Sequence, residues 1–451
     1  MKIIITNRFY IYNCSNPKIE SALKKYLTIT NPKYTEAQRN GRNFYHIPNT
    51  VTMFKTHNTE CFSVPLGIED YLNQLLDNYA PKAEFEDRTT YSHTGISYTC
   101  KITPYETQWP SINAGLKYNS GVISLPTGTG KTVVALYLIF MRKQKTMILV
   151  HSKLLFYQWQ ERILEFLDYD CGLVGDGKFI VKDITVGLVK TVVNRSKDSD
   201  FAKEFGYLIV DEAHKTASTT FTIACSFFQP AYLTGLTATP DRRDGMAKFI
   251  FFALGDLIYY SDKSVSVAQG KILKPEINKI NTKLTFDIAG ELQYTELISK
   301  LKKSDIRNQM ICDHIENISK INFSCCLVVS DHTTHLKLIQ DILESRGIKY
   351  SLLTGKLTTK QTKKVTQGLK ENKIEILLAT AGLISEGYDH SGFTDMLFTM
   401  PISHYVRHEQ LIGRLVRVKA GKKAVVIHDF VDNDRVFQNQ WSKRFKVYES
   451  Y

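Results

Sequence analysis

The octet Leu125-Pro126-Thr127-Gly128-Thr129-Gly130-Lys131-Thr132 constrains this chain more than any other stretch. It follows an apolar run at 121–125 that reads as a strand, and it opens a helical pattern over 131–141. A strand, a glycine-rich loop and a helix in that order suit a phosphate. The glycines let backbone N–H groups approach phosphate oxygens, and the helix N-terminus adds a partial positive charge. Lys131 is then placed to reach the β- and γ-phosphates of a nucleotide, and the Thr132 hydroxyl to ligate magnesium. The leading glycine usual in such loops is Leu125 here, so the octet alone also fits an ordinary strand–loop–helix turn.

A second motif narrows the choice. Asp211-Glu212-Ala213-His214 directly follows the apolar run 207–210. A carboxylate at the C-terminal end of a parallel strand points into a ligand crevice. Asp211 can hold magnesium there, often through water, and Glu212 can orient or deprotonate an attacking water. Without a cation, two adjacent acids beside a phosphate loop would be electrostatically awkward.

Short apolar runs separated by helical patterns recur along the chain, which predicts parallel α/β sheets. Strands are expected at 146–150, 207–210 and 232–236, then again at 325–330, 350–353, 374–379, 396–399 and 424–427. The polar segment 262–275 reads as a hinge between the two sets. Residues 1–88 differ: one strand over 3–12, a helix over 17–27, a strand at 51–54 and a helix over 66–79, closed by a polar linker at 81–88. The expected architecture is two tandem parallel-sheet α/β domains, 89–262 and 263–451, behind a small N-terminal α+β domain, 1–88. The cleft between the two larger domains is the default site.

With Thr237-Ala238-Thr239-Pro240, the octet and the acidic motif match motifs I, II and III of superfamily 2 helicases, and the DEAH-type chain resembles that group over roughly 100–430. The continuation Asp241-Arg242-Arg243-Asp244-Gly245 resembles the branch holding phage UvsW-like branch-migration helicases, XPB-like helicases and type III restriction motors. The resemblance implies RecA-like domains that use ATP and Mg2+. It further implies an adenine-reading glutamine upstream of the loop. Gln108 is preferred over Glu106, which cannot donate a hydrogen bond when ionised, and Tyr105 could pack on the base. Pro126, Thr127, Gly128, Thr129 and Gly130 complete the phosphate cradle.

On the far side, Gln410-Leu411-Ile412-Gly413-Arg414-Leu415-Val416-Arg417 matches motif VI. Arginines three apart share a helical face, so Arg414 and Arg417 are the candidates to stabilise the transferring phosphoryl group, with Gln410 near the attacking water. Residues 379–389 resemble motif V, with Gly387 and Asp389 toward the nucleotide and Thr380 toward a nucleic-acid phosphate, although each could equally belong to a plain strand-to-helix loop. ATP would close the cleft and hydrolysis release it, and Thr237 and Thr239 are candidates to couple the two events.

Nucleic-acid contacts are expected from Ser152 and Lys153, from the segment 185–191 including Lys190 and Thr191, from Ser330 to His332, and from Thr354, Gly355 and Lys356. Hydroxyls, backbone amides and lysines suit phosphate contacts that position without reading sequence. Each of these could equally be a solvated loop. The N-terminal region interleaves Lys18, Lys24, Lys25, Lys33, Arg39, Arg42 and Lys55 with Tyr26, Tyr34, Phe44 and Tyr45, a mixture that fits either a nucleic-acid surface or a structural cap.

The formal net charge of +13 fits a polyanionic partner and equally a merely basic surface, since charge alone decides little. Hydrophobic residues at 43% allow real cores. The eight cysteines show no zinc spacing, which favours a reducing compartment, and no run of about 18 apolar residues suggests a membrane span. The expectation is an intracellular protein of the cytoplasm (a host's, if viral), with no membrane and a monomer as one reading. The substrate expected from the resemblance is DNA, forked or branched. An RNA helicase, a nuclease motor subunit and a non-hydrolysing ATP-gated clamp are the rival readings, although no separate nuclease carboxylate cluster is evident.

Overall fold

The computed structural model describes every residue except 40–42, 96–98, 197–199, 216–218, 240–246, 286–293, 322–324, 386–389 and 403–404. The chain folds into two compact units: residues 1–125 with 130–261, and residues 262–451 together with 126–129.

The N-terminal residues build a five-stranded sheet of their own in the order Lys55–Thr56, Cys61–Pro65, Arg8–Tyr12, Lys2–Ile5, Glu84–Asp87. The single strand expected over 3–12 is instead a hairpin. The polar Thr6 and Asn7 interrupt the apolar run, Thr6 N–H donates to Arg8 O at 3.0 Å, and Ile3 pairs with Ile11. The expected linker 81–88 contains the edge strand Glu84–Asp87, parallel to Lys2–Ile5. An edge strand facing water can be as polar as a linker, which is why composition misreads it.

Helices Pro17–Tyr26 and Glu69–Tyr79 pack on this sheet through Ile19, Leu23, Leu72, Leu75 and Leu76. The same core includes Phe249 and Phe252 of the helix Ala247–Leu254. Gly67 permits that junction: a Cβ there would lie 2.0 Å from Phe251 O.

The first unit's main sheet has eight strands. Lys178–Ile180 is antiparallel, and the parallel rest follow in the order Gly172–Gly175, Ile184–Leu188, Thr146–Val150, Tyr207–Asp211, Tyr232–Thr237, Ser120–Ser124, Leu257–Tyr260. The continuous apolar runs Met147–Val150 and Tyr207–Val210 are buried on both faces, as central parallel strands require. The second unit holds an all-parallel six-stranded sheet, Glu276–Asn281, Val426–Val431, Asp395–Phe398, Cys326–Ser330, Ile376–Thr380, Ser351–Leu353. Parallel pairing puts all these C-terminal ends on one edge of each sheet, and the motifs sit there.

All eight cysteines are free thiols. Among the described residues no helix is long and apolar enough to cross a membrane.

Candidate nucleotide site

The phosphate loop leaves the strand Ser120–Ser124 and enters the helix Lys131–Arg142. Gly128 has φ +94° and Gly130 φ +92°, left-handed values that a side chain resists. The Thr129 hydroxyl donates to Pro126 O at 2.8 Å, and Lys131 Nζ donates to Leu125 O at 3.2 Å. Gln108 lies against this loop: a Cβ on Gly130 would sit 2.4 Å from Gln108 Nε2. The Gln108 side chain is buried, and its Oε1 accepts the Tyr105 N–H at 3.0 Å. Tyr105 itself is 63% exposed. The structure thus brings together Gln108 and Gly130, which the sequence separates.

Asp211 ends the strand Tyr207–Asp211, which is one strand removed from Ser120–Ser124 across Tyr232–Thr237. Asp211 Oδ1 accepts the Glu212 N–H at 2.9 Å and Oδ2 accepts the Trp159 indole N–H at 2.9 Å. Burial, reinforced by the neighbouring Glu212 charge, pushes Asp211 up to about 6 against the opposing pull of Trp159 and Lys131. Burial also opposes ionisation of Glu212, but the hydrogen bond and charge of His214, with Lys131 and His151, hold it well below the usual carboxylate range. Glu212 sits at φ +51° and its Oε2 lies 3.2 Å from His214 Nδ1.

His214 Nδ1 is also 3.5 Å from Thr237 Oγ1, which accepts the Thr239 N–H and donates to Thr239 O, both at 3.1 Å. The acidic motif and the Thr237–Thr239 segment therefore share one polar chain. Pro240 and 241–245 lie outside the described residues.

The donor set fits magnesium. Buried Asp211 and half-buried Glu212 set two carboxylates side by side, an arrangement that a cation would relieve. Asp211 and Thr132 offer the hard oxygens that magnesium takes. Among the described residues no cluster of three or more His, Cys, Asp or Glu could cage a metal by itself. Such an ion would complete its shell with nucleotide and water.

In the second unit, Gln410 and Arg414 lie on the helix Tyr405–Leu415 and are both buried. The expectation that Arg414 and Arg417 share one helical face fails. The helix ends at Leu415 because the chain there pairs with the segment after the Lys263–Ala268 helix: Leu273 N–H donates to Val416 O at 2.7 Å and Ile272 bridges Arg417. The segment 262–275, expected as a polar hinge, is thus tied along this motif, and Lys263 also pairs with Glu409. Lys422 Nζ donates to Leu415 O at 2.5 Å and Arg417 O at 3.0 Å, holding the end of the motif. Gly387 and Asp389 lie outside the described residues.

The nucleic-acid candidates also gather at strand ends, with differing exposure. Ser152 caps the helix Lys153–Leu167, accepting the Leu155 N–H at 3.3 Å, and the exposed Lys153 pairs with Asp176 at 2.5 Å. Lys190 is exposed and Thr191 half-buried in the first turn of Val189–Ser196. Ser330 is a correction: its side chain is fully buried, accepts the His332 N–H at 3.2 Å and lies 3.2 Å from His335 Nδ1. It organises the loop rather than meeting a phosphate. Thr354 is buried, Gly355 and Lys356 are exposed, and Thr380 is half-buried at the end of its strand.

In the N-terminal region Tyr26 stacks on Tyr71, whereas Tyr45 stacks on Phe44 and is 85% exposed. Arg42 lies outside the described residues. The local patterns carried no sign of Trp159, which meets Asp211 across 52 positions, or of Lys422, whose carbonyl partners at Leu415 and Arg417 lie a short way back along the chain.

Two family models match the chain: "Type III restriction enzyme, res subunit" over 100–242 and "Helicase conserved C-terminal domain" over 307–419. A DNA 3'-5' translocase, XPB2, of Sulfurisphaera tokodaii is 37% identical over 203 residues, 45% of this chain. This chain spans only 45% of that relative's length. Putative helicase 109L of Invertebrate iridescent virus 3 is 30% identical over 51% of this chain and 70% of its own length. The ATP-dependent DNA helicase uvsW of Enterobacteria phage T4 is 22% identical over 82% of this chain and 79% of its own.

Proposed function

We propose that this chain, which belongs to the superfamily 2 helicases of the UvsW, XPB and type III restriction branch, uses ATP to translocate on and separate DNA strands at forks and junctions. The observation that carries the motor reading is the electrostatic union of Asp211 and Glu212 with Lys131 of the phosphate loop. The DNA reading leans on the relatives whose names specify DNA and on the basic balance of the chain.

In this reading the backbone amides of 126–130 and Lys131 hold the phosphates, and Thr132 with Asp211 holds Mg2+, which neutralises charge on the β- and γ-phosphates. Glu212, kept ionised beside His214, orients and deprotonates the attacking water. Gln108 reads adenine and Tyr105 covers it. Arg414 and Arg417 supply guanidinium charge to the transferring phosphoryl group, with Gln410 near the water; Gly387 and Asp389 belong to the nucleotide set. Lys153, Lys190, Thr191, Thr354, Gly355 and Thr380 are the proposed backbone contacts, with the 1–88 region as a substrate-binding element. The proposed compartment is the cytoplasm.

ATPase turnover measured with single-stranded DNA, forked DNA, four-way junctions and RNA of matched length tests this. Branched DNA should stimulate most, and Lys131→Ala should abolish turnover. Stimulation by RNA alone would overturn the DNA reading, and absence of turnover with every polymer would overturn the motor.

A further inference from the structure

Asp211 is held at both oxygens. Oδ1 takes the backbone N–H of Glu212 and Oδ2 takes the indole N–H of Trp159, each at 2.9 Å. Trp159 is 2% exposed and Asp211 7%, so water does not compete for either bond. Two donors on the two oxygens fix the plane of the carboxylate. Each oxygen keeps a second in-plane lone pair that can accept a further bond.

The chemistry of the donor matters. A buried carboxylate would ordinarily be met by lysine or arginine, and that positive charge would compete with a divalent cation. Indole is a neutral donor with no acceptor capacity. It orients Asp211 without cancelling the charge a cation needs. The helix Lys153–Leu167 anchors the indole by burying Leu155, Phe156, Ile163 and Leu167 in the same core.

We propose that Trp159 is a positioning residue for the divalent cation of the nucleotide site, its indole N–H setting the direction in which Asp211 presents its free lone pairs. This rests on the nucleotide-site reading above. Hydrogen-bond partners behind a metal ligand commonly change metal affinity by about 10- to 100-fold when removed.

The test separates the N–H from the packing. Trp159→Phe removes the donor along with part of the ring system. Replacement of Trp159 by benzothienylalanine puts sulfur where the N–H was and keeps the bicyclic volume. Mn2+ affinity is read by electron paramagnetic resonance in the presence of ADP, and melting temperature is followed in parallel. The expected result is an Mn2+ dissociation constant raised about 10-fold in the benzothienyl protein, with the ADP dissociation constant in the absence of metal unchanged. Trp159→Phe should show at least the same loss. A benzothienyl protein that binds Mn2+ as tightly as wild type overturns the proposal while leaving the nucleotide site standing. A wild-type protein with no ADP-dependent Mn2+ binding overturns both.

Discussion

Gly130→Ala probes the phosphate loop at its tightest point. The wild-type residue has φ +92°, where a Cβ costs about 1–2 kcal/mol. The new methyl would also lie 2.4 Å from Gln108 Nε2, so the buried glutamine must leave its rotamer, at about 0.5–1.5 kcal/mol more. The binding-competent loop therefore becomes about 1.5–3.5 kcal/mol less accessible, which raises a dissociation constant about 10- to 400-fold. Titration with a fluorescent ADP analogue at fixed Mg2+ reads this directly. A double-mutant cycle with Gln108→Ala isolates the collision: the double variant should bind better than additivity predicts, by about 1 kcal/mol. Binding by Gly130→Ala within twofold of wild type, or strict additivity in the cycle, would refute the reasoning.

Other consequences are open to equally direct measurement. Thr237→Ala with Thr239→Ala cuts the polar chain to His214, so strand separation should fall further than ATP hydrolysis; equal loss of the two would count against coupling through this segment. Ser330→Ala strands the His332 N–H and the His335 ring, costing about 1–3 kcal/mol of stability with little change in DNA affinity. Lys190→Ala should instead weaken DNA binding uniformly and lower the salt slope by about one; unchanged salt dependence would remove Lys190 from the track. Stability should also depend on pH through His335. Burial, then the charge of Arg307, depresses it to about 3, whereas the unfolded imidazole titrates near 6.5. A depressed base makes the unfolded chain the better proton acceptor. Stability is therefore lost as pH falls below about 6.5, by about 2 kcal/mol at pH 5 from this group. Denaturant unfolding of His335→Gln should show a flatter pH slope than wild type; an identical slope would exclude His335 as a source.

The parts of the site legible in the sequence are those whose chemistry demands particular residue types at fixed spacing. Glycines at 128 and 130 and the acids at 211 and 212 are of this kind, and the apolar strands before them set their places. The central strands Thr146–Val150 and Tyr207–Asp211 were legible because burial on both faces leaves a continuous apolar run. Legibility failed where tertiary contact decides conformation. Arg417 leaves the helix because Leu273 N–H finds Val416 O. Glu84–Asp87 is polar because it is an edge strand beside Lys2–Ile5. Ser330 has the residue type of a phosphate contact, but its hydroxyl turns inward to His335. The Trp159 indole carries no local pattern that points to Asp211.

In the proposed motor, hydrolysis and not nucleotide binding alone drives strand movement. Gel resolution of a synthetic four-way junction and of a forked duplex, with wild type and Glu212→Gln at saturating ATP, tests it most directly. Wild type should give ATP-dependent product strands and Glu212→Gln none, with DNA binding retained by both. Product formation by Glu212→Gln at the wild-type rate, or by wild type with a non-hydrolysable ATP analogue, would contradict it and describe an ATP-gated clamp.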